Sequence, residues 1–170
     1  MKSTKILVNV KSKSYPIFFG DNIINSTRTF IKKYVPNAKK ISIICDRNIP
    51  SVLKNKLIKS LRIYKPKVYS LVANEKTKNF NVANKLIENL LRDNLTRSDC
   101  VISFGGGIIS DLTAFASNLT KRGIKFVNIP TTLLSQVDAS IGGKTGINSN
   151  QGKNLIGTFY QPDFILSDVS

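Results

Sequence analysis

The strongest constraint on the fold is a continuous apolar run, DCVISF, at residues 99–104, which glycines follow directly. An apolar run without polar alternation is typical of a parallel strand that is buried on both faces. After the glycines, Leu112, Phe115, Ala116 and Leu119 recur at the spacing of an amphipathic helix. A buried strand needs helices over both faces of its sheet, so this segment predicts an α/β domain.

The turn between this strand and this helix nearly matches the dinucleotide-binding fingerprint Gly-x-Gly-x-x-Gly, with Ser110 in the third glycine position. Glycines let the backbone approach a pyrophosphate, whose charge a helix N-terminus favours. The usual partner of this fingerprint is an acid that ends the next strand, about 20 residues on. Here the next predicted strand, residues 125–129, runs directly into Pro130. The turn by itself is a weak signal, and the adenine end of a dinucleotide must be held differently.

The rest of the chain alternates between strand and helix patterns, without repeats. Strands are predicted at residues 39–46, 67–72 and 125–129, and as a first hairpin at 5–10 and 15–20 with residues 12–14 between them. Helices are predicted at residues 23–34, 49–61 and 82–91. The alternation predicts one α/β domain over residues 1–170, a Rossmann-like, mostly parallel sheet with helices on both faces.

A further helix is predicted after Pro130, where a strand ends and Thr131 or Thr132 provides an N-cap. Gly142-Gly143 ends this helix, because glycine tolerates the positive φ of a C-terminal cap. Helical spacing predicts one buried face, formed by Leu133, Leu134, Val137 and Ile141.

Polar groups are concentrated in and after this helix. Asp138 lies within it, Lys144 follows the glycine pair, and a second glycine-led turn presents Lys153 and Asn154. Fixed lysines near a helix N-terminus suit an anionic ligand, such as a phosphorylated or carboxylated metabolite. An amphipathic helix flanked by loops with solvated lysines is the structural alternative, and the residues by themselves leave both interpretations open.

The formal charge of +16 raises the question of nucleic-acid binding. A basic face is the electrostatic signature of proteins that bind the phosphate backbone. Here the lysines are scattered over every predicted helix and turn, without an arginine cluster or an interleaved aromatic platform. We therefore do not expect nucleic acid as a partner, although the charge would help to attract an anionic substrate.

Composition predicts a soluble globular protein, with 41% hydrophobic residues. Apolar runs are too short to cross a bilayer, and the start MKSTKILVNV lacks the apolar core of a secretory signal, so we expect a cytoplasmic protein without membrane partners. Cys45 and Cys100 border predicted strands, which predicts reduced, buried thiols.

Residues 130–162 carry a specific family resemblance. The run PTTLLSQVDASIGGKTGIN, followed closely by GKNLIGTFYQP, resembles the 3-dehydroquinate synthase family, and the similarity weakens toward the N-terminus. The resemblance implies the family's N-terminal NAD-binding domain. It also implies a lyase that converts 3-deoxy-arabino-heptulosonate 7-phosphate, a phosphorylated sugar acid, to 3-dehydroquinate and phosphate, in the shikimate pathway to chorismate and the aromatic amino acids.

The same resemblance implies the residues that contact NAD. Asp46 and Asn48 would hold the adenosine side. Further contacts with NAD would come from the turn that contains Ala73, Asn74, Glu75 and Lys78. The pyrophosphate would lie on Gly106, Gly107, Ile108, Ile109, Ser110 and Asp111. The ribose and nicotinamide would meet Thr131, Thr132 and Leu134, with Lys144 and Lys153 also within reach.

For the reaction itself, the resemblance implies catalytic roles for Asp138, Lys144, Lys153 and Asn154, and for Arg122 in the neighbouring subunit's site of a full-length homodimer. NAD would oxidise a ring hydroxyl transiently, which acidifies the adjacent C–H; elimination of phosphate, reduction of the ketone and an aldol closure would follow. The two lysines would stabilise a carboxylate, phosphate or developing enolate.

The family also uses zinc or cobalt, held by one glutamate and two histidines of a helical C-terminal domain. This chain contains no histidine and ends at Ser170. The expectation is therefore that the metal ligands lie outside these residues, and that the chain by itself binds NAD without turning over substrate.

The sequence departs from the family pattern at four places, and other functions stay open. Ser110, Asn74 and Ala114 stand where the family usually has glycine, and Thr120 stands at a usually aromatic place. The alternatives are another sugar-phosphate cyclase, and an inactive remnant or basic binding module that retains the NAD-binding fold.

Overall fold

A seven-stranded sheet forms the centre of the molecule. The computed structural model describes residues 3–11 and 13–170. Within them the strands are β1 (Thr4–Val8), β2 (Tyr15–Gly20), β3 (Ile41–Asp46), β4 (Lys67–Leu71), β5 (Cys100–Gly105), β6 (Lys125–Pro130), β7 (Lys144–Ser149), β8 (Gly152–Phe159) and β9 (Phe164–Asp168). The helices are α1 (Thr27–Tyr34), α2 (Ser51–Ser60), α3 (Phe80–Arg92) and α4 (Gly107–Leu119).

The order of strands in the sheet is β1-β2-β9-β6-β5-β3-β4. β1 pairs antiparallel to β2, as the predicted hairpin requires, and every other neighbouring pair is parallel. Ser12, in the predicted connection of this hairpin, lies outside the described residues. The prediction of a mostly parallel, Rossmann-like sheet is confirmed.

Helices cover both faces of the sheet, and each face has its own core. On one face Ile43 and Ile102 of the central strands pack with Ile31 of α1 and Leu57 of α2. Ile44 and Val101 point to the opposite face, where they pack with Leu86 of α3 and Leu112 of α4. This alternation follows from the period of two in strands, and burial of each such side chain stabilises the fold by about 1.5–3 kcal/mol.

The predicted helices and buried thiols are also observed. The predicted helix at 23–34 begins as a 3₁₀ turn, Ile23–Ser26, and continues as α1. Cys45 and Cys100 are free and buried. None of the helices in the described part of the chain is both long enough and apolar enough to span a bilayer.

Three strands in the last third of the chain were not predicted. β7 and β8 form an antiparallel hairpin where the sequence suggested only glycine-led loops, and β9 inserts between β2 and β6. Most of β8 is exposed, so its sequence lacks the apolar alternation that marks a half-buried strand. Ile147 of β7 packs into the core beside α3 and α4, which anchors the hairpin.

The predicted buried face after Pro130 is wrong. Leu133, Leu134 and Val137 are 77%, 67% and 62% exposed, and only Ile141 packs inward, against Tyr15 and its neighbours. The predicted helix itself is observed as a short one at residues 133–139, with π-helical geometry from Ser135 to Ala139. Apolar spacing on this short helix therefore did not imply burial.

A threonine does cap this short helix, as predicted. The backbone N–H of Ser135 donates to Thr132 Oγ1 at 3.3 Å, and the backbone N–H of Thr132 donates to Ser135 Oγ at 3.1 Å. This reciprocal pair satisfies groups that the first turn of a helix leaves unpaired.

Candidate functional site

The chain connections beside β3 and β5 run in opposite directions. The chain leaves β3 through α2 toward β4, and leaves β5 through α4 toward β6, with α2 and α4 on opposite faces of the sheet. Such a switch point opens a crevice at the carboxyl ends of the strands, where open α/β sheets bind ligands. Asp46 ends β3 and Gly105 ends β5, so two of the predicted cofactor segments flank this crevice.

The glycine turn provides an open helix N-terminus at the crevice. Gly106 is the N-cap of α4, and no side chain in the described structure caps this end of the helix. A Cβ on Gly106 would lie 3.2 Å from the Thr132 methyl group, so a larger residue would press on the neighbouring loop. The N–H groups of Gly107, Ile108 and Ile109 have no intrahelical partner, and with the helix dipole they suit an anionic group.

Ser110 lies inside the first turn of α4 and faces the sheet. Its side chain is buried, and its hydroxyl donates to Asn128 Oδ1 at 2.9 Å. The Ser103 hydroxyl donates to the same oxygen. The serine in the third fingerprint position therefore takes part in a buried polar group behind the turn.

Asp46 and Asn48 form the exit of β3. Asp46 Oδ1 accepts a hydrogen bond from the Asn48 N–H at 3.0 Å, while the N-cap of α2 is Pro50, so the carboxylate shapes the turn and does not cap the helix. The Arg47 N–H donates to the Leu71 carbonyl at 2.7 Å and ties this turn to the end of β4.

The exit turn of β4 contains the next predicted group. Ala73 leads into it, and Asn74 Oδ1 accepts the N–H of Thr77 at 3.0 Å, which closes the turn locally. Asn79 then caps α3 by accepting the N–H of Val82 at 3.0 Å. Glu75 and Lys78 are thereby held at fixed positions on the edge of the crevice.

Lys78, Asp111 and Asn154 form one hydrogen-bonded cluster. The Lys78 ammonium group is buried and donates to Asp111 Oδ2 and, at 2.5 Å, to Asn154 Oδ1. Burial raises the pKa of Asp111, and the hydrogen bond from Lys78 opposes that increase only in part. The cluster joins the exit turn of β4, the first turns of α4 and the hairpin, three segments that are far apart in sequence.

A second cluster surrounds Glu75. Its carboxylate accepts a hydrogen bond from Asn148 at 2.8 Å and lies 3.9 Å from the Lys153 ammonium group. The bond from Asn148, then the charges of Lys153 and Lys78, hold the pKa of Glu75 below its ordinary value. Sequence reasoning missed Asn148; its position just before the turn of the hairpin was the available signal, because asparagine is common in turns.

Four of the predicted residues line a single cleft of about 710 Å³, namely Asp111, Asp138, Lys144 and Asn154. Ile141, Leu155 and Phe159 supply apolar surface to the same cleft. A concave site with mixed apolar walls and a few convergent charged groups is typical of small-molecule binding. Lys153 points to the neighbouring Glu75 cluster instead.

The remaining predicted residues lie at the rim of this region or away from it. Thr131, Thr132 and Leu134 are exposed beside the glycine turn, where the Thr131 N–H donates to the Gly105 carbonyl at 3.0 Å. Arg122 precedes β6 and so lies at the amino end of the sheet, one strand length of about 20 Å from the cleft. The structure therefore does not bring Arg122 to the cleft of its own chain.

A metal site among the described residues would require a grouping of their possible ligands. Among residues 3–11 and 13–170, no three His, Cys, Asp or Glu side chains are grouped so that they could hold a metal ion. The donor set of the described residues thus does not fit the zinc or cobalt site that the resemblance implies.

Curated relatives match nearly the whole chain. It is 46% identical over 166 residues to the 3-dehydroquinate synthase of Pelagibacter ubique, covering 98% of this chain and 45% of that protein. It is 42% identical over 168 residues to that of Rhizobium meliloti, covering 98% and 44%. The chain thus spans less than half the length of the curated relatives it matches.

Solved structures show the same fold. The TM-score is 0.89 to 2-deoxy-scyllo-inosose synthase complexed with carbaglucose-6-phosphate, NAD⁺ and Co²⁺, at 22% identity over 97% of this chain and 46% of that one. It is 0.76 to 2-epi-5-epi-valiolone synthase from Streptomyces hygroscopicus with NAD⁺ and Zn²⁺ bound, at 24% identity over 96% and 45%. The family described as 3-dehydroquinate synthase N-terminal matches residues 68–170. Together with these identities, that match shows that the chain belongs to the 3-dehydroquinate synthase family.

Proposed function

We propose that the chain is the NAD-binding part of a 3-dehydroquinate synthase, which converts 3-deoxy-arabino-heptulosonate 7-phosphate to 3-dehydroquinate and phosphate in the cytoplasm. One observation carries the proposal: the predicted cofactor segments follow the carboxyl ends of four adjacent parallel strands, β6, β5, β3 and β4. An extended dinucleotide needs contacts along such an edge. The NAD⁺ in the two related cyclases supports this assignment.

The residues of the chain fit NAD. The uncapped N-terminus of α4 would hold the pyrophosphate, with Gly106 leaving room for a close backbone approach. Asp46 and Asn48 would hold the adenosine on one side, and Thr131, Thr132 and Leu134 the nicotinamide on the other. When bound, NAD would supply a reversible hydride acceptor for a substrate hydroxyl.

The cleft would hold the substrate. Lys144 would pair with a carboxylate or phosphate, and its fixed charge would stabilise negative charge that develops during elimination. Asp138 and Asn154 would orient hydroxyl groups through hydrogen bonds. Lys153 would add a second ammonium group once it leaves Glu75, which it faces at 3.9 Å. Arg122 would serve the partner's site in a full-length homodimer.

We assign no metal chemistry to the described residues, because their possible ligands are not grouped so that they could hold zinc or cobalt. We therefore propose that the chain binds NAD but does not turn over by itself. In a phosphate-release assay with added zinc, we expect no more release than from the Lys144→Ala, Lys153→Ala variant. Stoichiometric release well above that control would contradict the proposal of inactivity.

Calorimetric titration with NAD tests the cofactor assignment. We expect saturable binding that Asp111→Ala abolishes, and that Asp21→Ala, an exposed acid in the turn after β2, leaves unchanged. The basic binding module predicts the opposite pattern: no NAD binding, and DNA binding that falls steeply with salt. Another cyclase within the same fold would bind NAD equally, but the 46% identity to a 3-dehydroquinate synthase favours the proposed substrate.

A further inference from the structure

Asn148 joins the hairpin to the exit turn of β4. Its backbone N–H donates to the Lys78 carbonyl at 2.8 Å. Its side-chain amide donates to Glu75 Oε2 at 2.8 Å and to the Glu75 carbonyl at 3.3 Å. Both partners belong to the turn that the family resemblance assigns to NAD, although Asn148 itself does not line the cleft.

Asn148 also stands at an irregularity of the hairpin. Ile147 pairs with Ile156, but Ser149 pairs with Gly152, so Asn148 faces the extra residues 153–155 of β8. Such a bulge breaks the ladder of backbone hydrogen bonds and turns side chains in a new direction. Asn148 Oδ1 accepts the N–H of Asn154 at 3.0 Å and so replaces a ladder bond at this point.

The bulge directs Asn154 toward the cluster in the cleft. Asn154 has a φ of 59°, in the left-handed region that asparagine tolerates better than most residues. With its backbone N–H held by Asn148, its side-chain oxygen accepts the hydrogen bond from Lys78 at 2.5 Å. Asn148 therefore acts on the cleft through Asn154.

Only an amide of this length makes all of these contacts. Its Nδ2 donates to a carboxylate and its Oδ1 accepts a backbone N–H, so both ends of the group are used and its orientation is fixed. An aspartate would keep the bond to Asn154 but would oppose the charge of Glu75. An alanine would lose both.

We infer that Asn148 is a positioning residue of the NAD site. It holds Glu75 in place in the exit turn of β4 and Asn154 in place in the bulge of β8. The inference rests on the proposed function and adds a residue to it. In that role Asn148 contacts neither NAD nor substrate and sets the affinity through its two partners.

The first test is NAD titration of the chain with Asn148→Ala and with Asn150→Ala, an exposed asparagine in the turn of the same hairpin. We expect the first substitution to weaken NAD binding about tenfold, because the charge-assisted hydrogen bond to the Glu75 carboxylate and the bond to the Asn154 N–H are lost. The second should change the dissociation constant less than about twofold. Equal affinities for all three proteins overturn the inference.

The second test does not need NAD. The carboxyl carbon of Glu75 is followed by NMR through an acid titration, in the unsubstituted chain, Asn148→Ala and Asn148→Asp. Loss of the amide donor should raise the pKa of Glu75 in Asn148→Ala, and the facing carboxylate should raise it further in Asn148→Asp. An unchanged titration in both variants would show that Asn148 does not hold the Glu75 carboxylate.

The two tests separate the possible failures. An unsubstituted chain that does not bind NAD overturns the proposed function, whereas an unchanged Glu75 titration in both variants overturns the positioning role. If Asn148→Ala does not fold, Asn148→Asp, which retains the bond to Asn154, still gives the titration and the NAD affinity.

Discussion

The ammonium group of Lys78 donates a hydrogen bond to the carboxylate of Asp111, and the two side chains are only 6% and 23% exposed. Burial raises the pKa of Asp111, and the bond from Lys78 acts in the opposite direction. Each charge has been removed from most of its water, so each depends on the other for its stabilisation. This mutual dependence makes the pair a sensitive point of the candidate site.

Replacing both members of this pair should cost less stability than the two single replacements added together. We expect Lys78→Met and Asp111→Asn each to lower the free energy of unfolding by about 3 kcal/mol, because each leaves a buried partner uncompensated. The double variant should cost at least about 1 kcal/mol less than the sum of the two single costs. Urea denaturation at neutral pH gives the free energy of unfolding of the unsubstituted chain, the two single variants and the double variant. Strictly additive costs would contradict the coupling.

The cost of Lys78→Met should also depend on pH. The pKa of Asp111 is raised in the folded state, so Asp111 favours folding most at low pH, and that contribution is lost as the pH rises through the folded pKa. Without Lys78 the interaction that lowers the pKa of Asp111 is absent, so the pKa of Asp111 rises further. We therefore expect the stability difference from the unsubstituted chain to be smallest near about pH 4 and to grow toward about pH 7.

Urea denaturation at several pH values measures this dependence. The double variant Lys78→Met, Asp111→Asn serves as the control, because it has no titrating group at position 111. A stability difference for Lys78→Met that does not change with pH would show that Asp111 does not depend on Lys78 for its ionisation.

The central parallel sheet was predictable because its signals are local. Residues 99–104 form a continuous apolar run, and the helices that cover it have a clear helical period. β9 has only a three-residue apolar run, Phe164 to Leu166, and its place between β2 and β6 is determined by pairing across the chain. The buried face after Pro130 was wrong, since periodicity describes which residues share a side and not whether a neighbour covers that side.

The site was predictable at the level of segments but not of contacts. The predicted cofactor segments follow strand ends, and parallel strands bring their ends to one edge, so Asp46 and Gly106 lie at the same edge of the sheet. Asn148 was missed because its role depends on a bulge for which the sequence contains no local signal. The sequence also did not show how Ser110 is accommodated in a glycine position, because its hydroxyl bonds to Asn128 behind the turn.

The hairpin should not tolerate a side chain at Gly157. This residue pairs with Gly146, and a Cβ on it would lie 2.2 Å from the Thr145 carbonyl oxygen, a distance that forces the strands apart. We expect Gly157→Ala to lower the free energy of unfolding by about 3 kcal/mol or more, and to speed amide hydrogen exchange in β7 and β8 more than in β5.

The matched control for this substitution is Gly142→Ala. Gly142 has a φ of +93°, but a Cβ there would meet none of the described atoms within 4 Å. We expect Gly142→Ala to lower the free energy of unfolding by about 1–2 kcal/mol through backbone strain. Amide hydrogen exchange should not become selectively faster in the hairpin. Equal exchange profiles for the two variants would contradict the steric argument.

The exposed leucines after Pro130 should contribute to association and not to stability. Leu133 is 77% exposed, so Leu133→Ser should change the free energy of unfolding by less than about 0.5 kcal/mol. Leu112, which is fully buried on the inner face of α4, provides the comparison, and Leu112→Ala should cost about 3 kcal/mol. Urea denaturation of the two variants distinguishes an exposed helix face from the buried helix face that periodicity suggested.

The adjacent leucines Leu133 and Leu134 are 77% and 67% exposed. Contiguous exposed apolar groups promote self-association in water. We therefore expect the Leu133→Ser, Leu134→Ser variant to sediment as a smaller species than the unsubstituted chain at equal, high protein concentration. The control Leu119→Ser, on a 45% exposed leucine at the end of α4, should sediment like the unsubstituted chain. If all three proteins sediment alike, Leu133 and Leu134 do not cause association.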